Sequence, residues 1–186
     1  MRLNDLIATV LLVPLLLGFY TKYKYLDDIG FPVKEDVGDG SYLYRPVNTT
    51  FNESFVERDK AVIISYMNSF AAQHSLPIDF CHDKTVDFYI VDFRVLNDKK
   101  RYPSTTNRVP EIWGLYDSYS PDPARAAIIL TDNSNDRIDS VIMAHEYAHY
   151  IYDIYCWSDD WPGDTETFAV AFQKYYGLKR FGRMYE

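Results

Sequence analysis

The sequence predicts an α+β domain. A helical apolar period runs through Val62, Ile63, Tyr66, Met67 and Phe70. Two runs dense in β-branched and aromatic residues follow at 85–96 and 125–131, and two further helical runs close the chain. The order helix, strands, helix, helix is that of an α+β fold. The 186 residues suffice for one domain with a short appendage, and 47% hydrophobic with 25% charged residues is a globular composition. A net charge of −8 argues against a nucleic-acid binder, which would need cations for phosphate. Two cysteines, Cys81 and Cys156, are too few for a disulfide scaffold, and no C-x-x-C pair offers a thiolate zinc site.

Each element has a local cause. Ser54-Phe55-Val56-Glu57 matches a capping box and predicts the start of the first helix, which should end near His74, ahead of Pro77. TVDFYIVDFRVL at 85–96 predicts a strand, and Ile112–Tyr116 a short one. Residues 99–110 predict a polar, basic loop, and Ser120-Pro121-Asp122-Pro123 a turn. RAAIILT at 125–131 predicts another strand. Ile138, Val141, Ile142, Ala148 and Tyr152 hold the period of a long helix over 138–155, and Phe168, Phe172 and Tyr175 that of a last helix over 165–178.

The amino terminus reads differently. LIATVLLVPLLLGFY at 6–20 carries no charge, is short for a full span, and has Lys22 and Lys24 behind it. Residues 1–24 are therefore expected to be a signal or membrane anchor, with an uncleaved anchor favoured. Residues 25–52 are expected as a tether or irregular extension, and 53–186 as the globular domain, exported and membrane-anchored. In an oxidising compartment Cys81 and Cys156 could pair; two buried thiols are the alternative. Asn48-Thr49-Thr50 and Asn52-Glu53-Ser54 are glycosylation sequons, relevant in a eukaryotic secretory pathway.

The chemistry sits in the long helix. His145-Glu146-Tyr147-Ala148-His149 is an H-E-x-x-H motif, whose spacing puts both imidazoles on one helix face. Two such nitrogens suit one tetrahedral Zn²⁺, and Glu146, turned about 100° round the helix, can miss the metal yet reach a metal-activated water as general base. A catalytic zinc needs a third protein ligand. Glu166, in the first turn of the last helix, is favoured if that helix folds back antiparallel, and Asp164 is the rival, with a helix N-cap as its blander role. Lone His74 and His82 are expected to be surface or satisfied-core histidines.

HEYAHYIYDIY followed by ETFAVAF resembles the zincin metallopeptidases of the gluzincin type, and Glu166–Phe172 is similar to the E-x-F-A-x-x-F helix of small zincins related to the lethal-factor catalytic domain. The resemblance covers about residues 125–176. It implies a small zincin-like catalytic domain with a short mixed or antiparallel sheet, one zinc ion on His145, His149 and Glu166, Glu146 as base, and peptide or protein substrates. It also implies that RAAIILT is the sheet edge that takes substrate as an added strand. Val170 stands where some relatives carry a second acid behind a ligand, so the carboxylate that would orient an imidazole is left unassigned, with Asp153 as a candidate substitute. Tyr152, Tyr155, Tyr175 and Tyr176 are the candidates to stabilise an oxyanion. The expectation is thus an exported zinc metallopeptidase; the alternatives are a catalytically silent zincin-fold module that binds peptide at a membrane surface and a non-metallic envelope protein.

Overall fold

The computed structural model describes residues 30–96, 113–118 and 124–185. The expected anchor at 1–24, the basic loop at 99–110, Ile112 and the turn at 120–123 lie outside the described residues. Among the described residues no helix is long and apolar enough to cross a membrane. In chain order the elements are β1 (Val33–Asp36), β2 (Tyr42–Arg45), α1 (Glu53–Gln73), β3 (Thr85–Val91), α2 (Phe93–Leu96), β4 (Gly114–Asp117), β5 (Arg125–Thr131), α3 (Asp136–Ile154) and α4 (Thr165–Phe181).

The five strands form one mixed sheet in the order β1-β2-β3-β5-β4. β2, β3 and β5 run parallel, while β1 and β4 are antiparallel outer strands. The three long helices bury one core against one face. Phe88, Ile90, Ile128 and Leu130 from the sheet meet Ile63, Met67 and Phe70 from α1, Met143, Ala144 and Tyr147 from α3, and Phe168, Phe172 and Tyr176 from α4. The opposite face carries a smaller cluster of Val91, Leu96, Ala127 and Ile129, with Phe31, Tyr89 and Leu115 against it.

Four expectations are corrected. Residues 33–45, expected within a tether, form a β1–β2 hairpin that extends the sheet, and Leu43 and Phe51 are wholly buried. The N-cap of α1 is Asn52, whose side chain accepts from the Phe55 amide at 2.9 Å, so Ser54 lies inside the first turn. The β3 strand stops at Val91, because the Asp92 carboxylate accepts from the Arg94 amide at 2.8 Å and turns the chain into α2. RAAIILT is an inner strand buried between β3 and β4, so among the described strands β4 is the edge beside it. Its unbroken apolar run is what a strand covered on both faces requires.

Cys81 and Cys156 form a disulfide with a Cα–Cα distance of 6.1 Å, so the alternative of two buried thiols does not hold. Around it, the Cys81 and His82 amides donate to the Ile154 carbonyl, and Trp157 Nε1 donates to the Pro77 carbonyl. These contacts fasten the α1–β3 connection to the carboxyl end of α3. The His74 ring packs tilted against Phe70 and edge-on to Trp161 at a helix end.

Candidate metal centre

α3 starts at Asn135, whose side chain accepts from the Arg137 and Ile138 amides, and it keeps its helical ladder through the motif. A loop at 155–164 turns the chain back, and α4 starts at Asp164, whose carboxylate accepts from the Thr167 amide at 2.8 Å. Asp164 thus takes the helix-cap role. Two residues on, in the first turn, Glu166 reaches both imidazoles: its Oε1 lies 3.5 Å from His145 Nε2 and its Oε2 3.4 Å from His149 Nε2. The two Nε2 atoms are 3.2 Å apart. Ligands at 2.0–2.1 Å on the corners of a tetrahedron are separated by about 3.3 Å. The nitrogen–nitrogen separation and each nitrogen's distance to its nearer Glu166 oxygen are close to that spacing, the two nitrogens facing different oxygens of the one carboxylate.

The far side of each ring is also held. His145 Nδ1 bonds Gln173 Oε1 at 2.7 Å, and His149 Nδ1 bonds Thr165 Oγ1 at 2.8 Å. With Nδ1 engaged outward, each Nε2 faces the shared centre. Asp153, expected as the orienting acid, instead accepts from Lys84 Nζ at 2.9 Å and from the Tyr116 hydroxyl at 2.7 Å. The Tyr116 ring lies parallel to His149, with 6.4 Å between centroids.

Electrostatics follow from burial and these contacts. Hydrogen bonds from His145 and His149 hold Glu166 far below the usual carboxylate range. Burial alone would lower His145, but Glu166, Glu146 and Gln173 outweigh it and raise its pKa. Glu146 is only 7% exposed, and burial pushes its carboxyl up against the opposing pull of His145 and His149.

The four tyrosine candidates for stabilising an oxyanion each make other contacts. Tyr176 shares a buried bond with Ser140 Oγ at 2.8 Å, and Tyr175 accepts from Gln73. Tyr152 donates to the Gly163 carbonyl, and Tyr155 is stacked between Phe80 and Trp157. Among the described residues, Tyr116 on strand β4 is a tyrosine whose ring faces His149. Sequence reading missed it, together with Thr165 and the role of Gln173. The one available signal was that Gln173 lies two turns beyond Glu166 on the same face of α4. Compared with known proteins, the chain matches no family model, no curated protein and no solved structure.

Proposed function

We propose that this chain is a zinc-dependent metallopeptidase that hydrolyses peptide bonds with Glu146 as general base. The observation that carries it is the convergence of three side chains: the Nε2 atoms of His145 and His149 lie 3.2 Å apart, and the Glu166 carboxylate spans them, with one oxygen 3.5 Å from His145 and the other 3.4 Å from His149, beside a Glu146 buried on the histidines' own helix. His145, His149 and Glu166 would hold one ion, in the manner of a gluzincin. Bound there, zinc supplies a Lewis acid that polarises a carbonyl and makes water more acidic.

The chain's own residues supply the rest. Glu146 as carboxylate accepts a proton from the attacking water, and as carboxylic acid it returns that proton to the leaving nitrogen. Its burial favours the neutral form and so suits the second task. Gln173 and Thr165 keep the imidazoles aimed. Strand β4, antiparallel and outermost among the described strands, runs beside α3 and supports an extended peptide as the substrate class. The Cys81–Cys156 disulfide supports export, with residues 1–24 as the anchor.

Zinc content and peptide hydrolysis test this together. The purified protein should carry one zinc per chain and cleave members of a peptide library. Glu146→Gln should keep the zinc and lose on the order of 10²–10⁴-fold in rate, whereas His145→Ala should lose both. A Glu146→Gln protein as fast as its parent, or a parent isolated without chelator and free of metal, ends the proposal.

A further inference from the structure

Strand β4 carries a glycine where it passes α3. A Cβ built on Gly114 would lie 2.7 Å from Cγ and from Oε1 of Glu146, and 2.9 Å from Cγ2 of Ile142. Carbon atoms in good contact sit about 3.5–4.0 Å apart, so even alanine forces something to move. The backbone gives no other reason for this residue: Gly114 is not among the glycines with positive φ. Glycine is needed here for space.

The same stretch of strand donates to the same side chain. The Thr131 amide donates to the Trp113 carbonyl at 3.0 Å, and Gly114 and Tyr116 lie opposite Leu130 and Ile128. Antiparallel strands alternate hydrogen-bonded and non-hydrogen-bonded pairs. Gly114 and Tyr116 therefore fall on the non-bonded positions and turn their amides away from β5. The Tyr116 amide donates to the Glu146 carboxylate. One residue leaves the room for that carboxylate and the next but one anchors it.

We propose that Gly114 is a positioning residue for Glu146: its missing side chain lets the β4 backbone approach closely enough for the Tyr116 amide to fix the carboxylate beside the three donors of His145, His149 and Glu166. The consequence for catalysis rests on the reading of Glu146 as the general base. A peptide laid along β4 also finds the Tyr116 amide already committed, so its bonds to the strand fall on other groups.

Gly114→Ala tests the idea in the full-length, zinc-loaded protein on a peptide the parent cleaves. It should hold zinc as the parent does, keep KM within about twofold, and lower kcat on the order of 10²-fold, the scale of a misplaced catalytic group. In a Glu146→Gln background the same change should cost nothing further. Parental kcat, a rise in KM alone, or the same fractional loss in both backgrounds overturns the proposal. If Gly114→Ala or the Glu146→Gln background is too slow to assay, melting temperature decides. Gly114→Ala should melt below the parent, and Glu146→Ala added to it should restore at least half of the difference; no restoration overturns the proposal. A parent that binds no zinc and cuts no peptide defeats the peptidase reading instead, and the melting comparison still judges the contact.

Discussion

At the scale of single residues, the proposed metal centre would depend on side chains that do not themselves offer a ligand atom. A histidine ligand is useful only when its ring is turned correctly and carries its proton on the far nitrogen. For His145 that far nitrogen meets Gln173 Oε1 at 2.7 Å, and Gln173 is itself held through Nε2 to the Tyr185 carbonyl. Gln173→Leu keeps the bulk but removes the acceptor. It should weaken zinc binding about 10–100-fold without abolishing it, as read by competition against a chelator of known affinity. An unchanged zinc affinity would show that His145 needs no outer partner. The residues legible in the sequence were those whose geometry is local. His145 and His149 share a face by helical spacing alone, and Glu166 followed once α4 was folded back. Gly114, Tyr116 and Thr165 were not legible, because their neighbours are set by which strand lies outermost and by how α4 slides along α3.

At the scale of elements, the turn from β5 into α3 is clasped by Asp132. Its carboxylate accepts from the Thr49 and Thr50 hydroxyls and from the Thr50 and Ser134 amides, tying the segment before α1 to the start of the motif helix. Burial alone would raise its pKa, but those four donors outweigh it and the pKa is lowered. A carboxylate lowered on folding stabilises above its unfolded pKa, about 3.9, and loses that contribution as pH falls through the folded value. Urea midpoints should therefore fall on acidification below about pH 4, and Asp132→Asn should flatten that fall while costing about 1–3 kcal/mol at pH 7 through unsatisfied donors. A parallel decline in both proteins would remove Asp132 from the acid limb. The elements themselves were legible wherever one pattern ran unopposed, a helical period in α3 and α4 and a continuous apolar run in β5. Errors arose where a single side chain overrides composition. Asp92 ends a stretch whose residues favour strand, and Asn52 takes the cap that Ser54 appeared to own. The β1–β2 hairpin escaped notice because Val33–Asp36 is a short outer strand with three charged residues, the pattern that discourages pairing with strangers.

At the scale of the whole molecule, the Cys81–Cys156 bond closes a loop with a sequence separation of 75 and joins the α1–β3 connection to the end of α3. Closing a loop of that length restricts the unfolded chain by about 4 kcal/mol in the chain-entropy treatment. The bond lies beyond the carboxyl end of the motif, whereas the imidazoles are held from the other side by Gln173 and Thr165 of α4. Global stability and metal geometry are therefore separable. Replacing both cysteines by serine should lower the melting temperature by on the order of 10 °C for a chain of this size, while the zinc-to-protein ratio below the transition stays as in the parent. Zinc in excess should then raise the melting temperature of both proteins by similar amounts, because a ligand that binds only the folded state adds its own increment whatever the starting stability. Calorimetry with and without zinc checks both statements. A much smaller increment in the serine protein would mean that the bond also shapes the metal centre, through Lys84 and Asp153 to Tyr116 beside His149.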